Sequence, residues 1–351
     1  MIRRLFHSWE RRLAAADNGR VTRPFEWGLD WIPERHRVPG TAPADAIASF
    51  AREALDDSDR FYDPGPPASA AWLDEAPDPD DGSRIAAFPS AIETPHEANN
   101  RVYVRVFPAR RRGRPEPVGR RRAVLVLPQW NANADGHVGL CRLLAWFGCD
   151  TFRLSLPYHD RRMPPHLQRA DYIVSANVGR TIQVCRQAVV DARRAVRWMA
   201  GEGYRRIGIL GTSLGSCLSL LTTAHEPLIR AEALNHVSQY FADPVWEGLS
   251  TSHVRAGFEG HLTLDLLRRL WMPISPEAFL ERLRDRRTLM VYAIYDLTFP
   301  PSLSLNLVNA MRERNVPHTT AVLPCGHYTT GLAPFKYLDG YALVRFLSRN
   351  L

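Results

Sequence analysis

Residues 206–225 constrain this chain more than any other stretch. Ile207-Gly208-Ile209-Leu210 is a short apolar run that reads as a buried strand, and 216–225, rich in Leu, Ser and Cys, reads as a helix closed by Pro227. Only Gly211-Thr212-Ser213-Leu214-Gly215 lies between them, so the chain must turn sharply from strand to helix with a serine at the apex. A serine held there takes up strained backbone angles and crowds its neighbours, and glycine at 211 and 215 leaves the room. The turn lifts the Ser213 hydroxyl above the carboxyl end of a sheet. Behind it, the unpaired N–H groups and positive dipole end of the helix can stabilise a developing oxyanion.

Strand, Gly-x-Ser-x-Gly and helix in this order resemble the nucleophile elbow of the α/β-hydrolase superfamily, in its serine esterase and lipase-like branch. The resemblance covers about residues 85–351. It implies a mostly parallel central sheet flanked by helices, and a serine, an acid and a histidine in that chain order. A length of 351 residues with 45% hydrophobic content suits one large α/β domain with decorations. Residues 1–84 are expected to form an N-terminal extension and 85–351 the catalytic domain.

Along that domain, 85–93 and 101–107 read as an antiparallel strand pair around the turn-forming Asn99-Asn100, with Val102, Val104 and Val106 on one face. The run 123–127 is apolar throughout, as a central parallel strand requires. Pro128-Gln129-Trp130-Asn131 follows, where hydrolases of this kind carry an oxyanion loop. The usual His-Gly of that loop is missing here, and the second donor is assigned to the backbone of Gln129 or Trp130, beside that of Leu214; alternatively, Trp130 roofs the pocket. A helix at 138–147 and a strand at 150–156 lead to Pro157-Tyr158-His159-Asp160-Arg161-Arg162. This resembles a cleft-lining segment of some bacterial esterase-like hydrolases, which makes Tyr158, His159 and Arg161 substrate-pocket candidates. The equal alternative is a hydrogen-bonded loop that fixes the strand end. A long helical stretch at 173–201 then feeds the nucleophile strand as a right-handed crossover needs.

After a further strand at 231–237, residues 240–287 depart from strand–helix alternation, with Trp246, Phe258, Leu262, Leu266, Leu267, Leu270 and Trp271 at mixed helical spacing. They are expected to form a helical cap over the cleft that sets substrate choice; the plainer reading is packing helices. The strand at 288–295 ends in Asp296, and the strand at 321–323 ends in Pro324-Cys325-Gly326-His327. Ser213, Asp296 and His327 thus each fall just beyond a strand end in the superfamily's order. Asp243 is the competing acid, with Asp296 preferred for its strand-end position and the Pro300-Pro301 turn behind it. The chemistry needs these types: His327 takes the proton of the poorly nucleophilic Ser213 hydroxyl, and Asp296 orients the imidazole and stabilises its cation.

The net charge of +8 invites a nucleic-acid reading, yet Lys336 is the single lysine among 45 basic residues, an arginine bias of the kind a GC-rich coding genome produces. The arginine run 110–115, continued at 120–122, has no interleaved aromatic to stack on bases and reads as a charged connecting loop. Residues 2–14 form a basic amphipathic helix, docked on its own domain or a partner subunit, or in weak contact with a membrane surface. The Asp-, Pro- and Gly-rich residues 56–83 read as irregular. Five cysteines without metal-ligand spacing fit buried thiols in a reducing, cytoplasmic compartment. No metal or cofactor is implied. The expected substrate is a small-molecule ester or thioester, cleaved through an acyl-enzyme; the alternatives are acyl transfer by the same triad and a silent binding protein that kept the fold.

Overall fold

The structure is a computed structural model and describes residues 1–17, 19–110 and 117–351, so most of the arginine run 110–115 lies outside the described residues. Its strands are β1 (Ala71–Trp72), β2 (Arg84–Pro89), β3 (Arg101–Phe107), β4 (Arg122–Leu127), β5 (Cys149–Leu154), β6 (Arg206–Thr212), β7 (Ile229–Asn235), β8 (Arg287–Ala293) and β9 (His318–Leu323). They form one sheet in the order β1-β2-β3-β5-β4-β6-β7-β8-β9. From β1 to β5 the neighbours are antiparallel, and from β5 to β9 they are parallel.

The helices are α1 (Ile2–Ala15), α2 (Pro43–Asp56), α3 (Ser58–Phe61), α4 (Val138–Trp146), α5 (Val178–Gly201), α6 (Leu214–His225), α7 (Ala242–Glu247), α8 (Ser252–Phe258), α9 (Leu264–Leu270), α10 (Pro301–Glu313) and α11 (Phe335–Asn350). Strand periodicity sorts them into two layers. On β4, Ala123, Leu125 and Leu127 face a core filled by α5, α6 and α10, whereas Val124 and Val126 face a second core with α4 and α11. Both faces of β4 are therefore buried, which is why its sequence is continuously apolar.

The α5 helix starts at Val178, five residues later than the spacing suggests. The Asn177 side chain accepts the N–H of Arg180 at 2.9 Å and caps it there, and Asn177 also bridges to Glu26. In the 240–287 segment, Phe258, Leu267, Leu270 and Trp271 are buried in the first core, and the Trp271 indole donates to the Val178 carbonyl at 3.2 Å. The same core takes Ile47 and Phe50 from α2, and the Tyr62 hydroxyl donates to the Pro273 carbonyl at 2.7 Å.

Helix α1 docks on the body of the molecule. Phe6 stacks on Tyr295 at 4.6 Å and meets Phe335 edge-on at 5.7 Å, while Glu10 and Ala14 are buried; Ile2 and Leu5 stay exposed. Among the described residues, no helix is long and apolar enough to cross a membrane.

Candidate active site

The strand-to-helix turn after β6 holds Ser213 at φ +56°, ψ −119°, a sparsely populated conformation for a residue with a side chain. Its N–H donates to the Asn235 carbonyl at 2.7 Å. The flanking glycines follow from space: a Cβ at Gly211 would lie 2.2 Å from the Gly215 carbonyl oxygen, and one at Gly215 would lie 2.2 Å from that of Leu127. Ser216 fixes the turn from below, its hydroxyl placed 2.8 Å from both the Gly211 and Asn235 carbonyl oxygens.

Asp296 follows β8 and is buried. Its Oδ1 accepts the N–H groups of Thr298 and Phe299, each at 2.7 Å, which aims Oδ2 at His327, whose Nδ1 lies 3.0 Å away. Burial pushes the Asp296 carboxyl up, but the charge of His327 and bonds from two imidazoles outweigh it and hold the group well below the usual carboxylate range. Burial pulls His327 down in turn, and the Asp296 charge more than offsets this, leaving its pKa raised. Phe299 stacks on the His327 ring at 5.6 Å. The competing acid, Asp243, instead bonds the guanidinium of Arg268 at 2.6 Å.

The second imidazole at Asp296 is one that sequence reasoning missed. His236, immediately after β7 at φ +60°, places Nδ1 2.9 Å from Asp296 Oδ2, and its ring centre lies 4.7 Å from that of His327. Burial lowers its pKa in spite of the neighbouring carboxylate. Its signal was its place one residue beyond the strand next to the nucleophile strand. His236, Asp296 and His327 have ligand atoms within 4.8 Å of one another, a spacing that suits a metal ion.

Glu10 was missed as well. From α1 it reaches the loop that carries His327, accepting the N–H of Tyr328 and of Thr329, both at 2.9 Å, and the Thr329 hydroxyl at 2.8 Å. A Cβ at Gly326 would fall 2.4 Å from the Glu10 carboxyl carbon, which accounts for the glycine before His327.

Ser213 and His327 line one cavity of about 830 Å³, together with Gln129, Trp130 and Leu214. Among the described residues, the backbone N–H groups of Gln129, Trp130 and Leu214 have no hydrogen-bond acceptor. The Trp130 side chain is fixed by an indole bond to the Ala170 carbonyl at 2.9 Å and by stacking on His253. The 240–287 segment reaches the cavity through Phe241, Pro244, Val245, Ser250 and Thr251.

Tyr158, His159 and Arg161 do not line this cavity, contrary to the expectation that they face substrate. Tyr158 and His159 are buried by their own hydrogen bonds. The Tyr158 hydroxyl is 3.1 Å from His96 Nδ1, and its N–H donates to Asn99 at 2.9 Å. His159 Nδ1 donates to the Pro157 carbonyl at 2.8 Å, leaving Nε2 to accept the Asn131 N–H at 3.0 Å; burial holds its pKa at about 4. Its work is to hold the loop after β4. Arg161 is exposed, its guanidinium beside the Tyr103 ring.

No family model and no curated protein matches the chain in sequence. Solved structures do match in shape. An acetyl xylan esterase from Paenibacillus sp. R4 superposes with a TM-score of 0.64 at 15% identity, over 92% of this chain and 98% of that one. A puromycin-hydrolyzing peptidase of Mycobacterium tuberculosis gives 0.60 at 16% identity, over 80% of this chain and 41% of the peptidase. A cold-adapted esterase from an Arctic intertidal metagenomic library gives 0.52 at 14% identity, over 80% and 99%.

Proposed function

From the α/β-hydrolase fold that this chain adopts, we propose a serine hydrolase that cleaves a carboxylic ester or thioester through an acyl-enzyme. The observation that carries this reading is the bond from His327 Nδ1 to Asp296 at 3.0 Å, in a residue that shares its cavity with Ser213 on a strained turn. With Nδ1 engaged, Nε2 is the nitrogen left to take the Ser213 proton. Ser213 Oγ attacks the substrate carbonyl carbon, and the N–H groups of Leu214 and of Gln129 or Trp130 stabilise the oxyanion. His327 then protonates the leaving alcohol or thiol. Water, deprotonated by the same imidazole, releases the acid and restores Ser213.

The cavity volume lies within the range of small-molecule sites, and its apolar residues suit an acyl group. The esterases among the structural neighbours support ester cleavage. Five free, buried cysteines support a reducing, cytoplasmic setting.

Labelling with a fluorophosphonate, read by intact mass, tests the reading. One adduct is expected on the native protein and none on Ser213→Ala or His327→Ala. A folded native protein that takes no adduct would overturn the hydrolase and favour a silent binding protein. Product analysis with added alcohol separates hydrolysis from acyl transfer.

A further inference from the structure

The cavity around Ser213 has two kinds of lining. Leu214, Cys217, Phe241 and Val245 are apolar, but Thr212, Asn235 and Asp339 make a continuous polar strip beside the nucleophile. Thr212 and Asn235 are register partners at the ends of β6 and β7, and the Asn235 amide donates to Asp339 Oδ2 on α11 at 2.9 Å. One atom of each residue is left over: Thr212 Oγ1, Asn235 Oδ1 and Asp339 Oδ1 are buried and have no hydrogen-bond partner among the described residues. Asn235 is 2% and Asp339 9% exposed, so neither is a surface group whose spare oxygen simply faces bulk water. A polar atom buried without a partner is costly, and three in one strip call for a shared partner.

The chemistry of the strip selects that partner. Asn235 Oδ1 only accepts, the Thr212 hydroxyl donates or accepts, and burial lifts the Asp339 carboxyl to about 7, so this group both accepts and donates near neutral pH. An anionic ligand would meet acceptors. A cationic ligand would meet Lys336 in the same cavity. Neutral hydroxyl groups, which donate and accept, satisfy all three.

We infer that Thr212, Asn235 and Asp339 form a subsite for the hydroxyl groups of a polyol or sugar alcohol carried by the ester, an inference that rests on the hydrolase reading of Ser213. The acyl chain then lies along the apolar lining, and the hydroxyl-bearing alcohol lies along the strip.

Glyceryl 1-monobutyrate and propyl butyrate share acyl group and alcohol length and differ by two hydroxyls. The expected ratio of their kcat/KM values in the native enzyme is tenfold or more in favour of the glyceryl ester. Thr212→Val, which keeps shape, and Asp339→Leu, which removes both oxygens, should each reduce that ratio by about tenfold, the worth of one neutral hydrogen bond. A native ratio near one, or a ratio that neither variant changes by more than twofold, overturns the subsite. Should Asp339→Leu fail to fold, Thr212→Val decides alone. Binding of the two esters to Ser213→Ala, followed by calorimetry, reads the subsite without turnover. Tighter binding of the glyceryl ester, lost on adding Thr212→Val, sustains the subsite even where the hydrolase reading fails, and equal binding overturns it.

Discussion

Asp296 is the residue in which the site's electrostatics converge: two backbone N–H groups fix one oxygen, and two imidazoles meet the other. Its charge has a directional effect on His327. Acting as a base, His327 must be neutral, and its pKa is raised above the ordinary 6.5, so kcat/KM should fall on the acid side with a midpoint above 6.5. Asp296→Asn removes the charge that raises it. The midpoint should therefore move to lower pH, while kcat drops by about 10³–10⁴ because the imidazole loses both orientation and the partner of its cation. A pH profile of kcat/KM for both proteins checks this; an acid limb that stays in place in Asp296→Asn would contradict it.

At the scale of elements, α1 extends the site beyond the strand ends. Its single acid, Glu10, lies one turn from Phe6 and anchors the loop next to His327, whereas Ile2 and Leu5 face outward. Glu10→Ala removes the acceptor of two backbone N–H groups and a hydroxyl. Hydrogen bonds to a charged group are worth about 1.5–3 kcal/mol, so a loosened His327 loop should lower kcat by about 10- to 100-fold with KM changed less than threefold, and Glu10→Gln should recover part of the loss. Steady-state kinetics on an ester reads this split, and an unchanged kcat in Glu10→Ala would refute it. The contact was illegible in the sequence because it spans 318 residues and follows no periodicity. The serine turn was legible because its constraints are local, glycines and serine within five residues. Tyr158 and His159 left two readings open for a related reason: they stand at a strand end, as site residues do, but their hydrogen bonds turn them inward to hold neighbouring loops.

Across the whole molecule, the centre of the parallel half was readable because the inner residues of β4 and β6 are apolar on both faces, whereas β5 buries Asp150, Thr151 and Arg153 and so carries no such run. The order of strands was not, since it is fixed by side chains far apart in sequence. One such fixture joins the antiparallel entrance to the parallel half. Arg162, beyond β5, bonds Asp191 on α5 at 2.8 Å and the Asn99 carbonyl at 2.7 Å, and the Ser90 hydroxyl beyond β2 donates to the other Asp191 oxygen at 2.7 Å. Both charges are fully buried. Removing one of them leaves the other desolvated and unpaired, so Asp191→Ala should cost about 3–5 kcal/mol of stability. Replacing the pair together, Arg162→Met with Asp191→Leu, should cost less than that single change, because no orphaned charge remains. Urea unfolding of the three proteins measures both values. A double variant as unstable as Asp191→Ala would mean that the bonds to Asn99 and Ser90, rather than the charge pair, hold the two halves of the sheet in register.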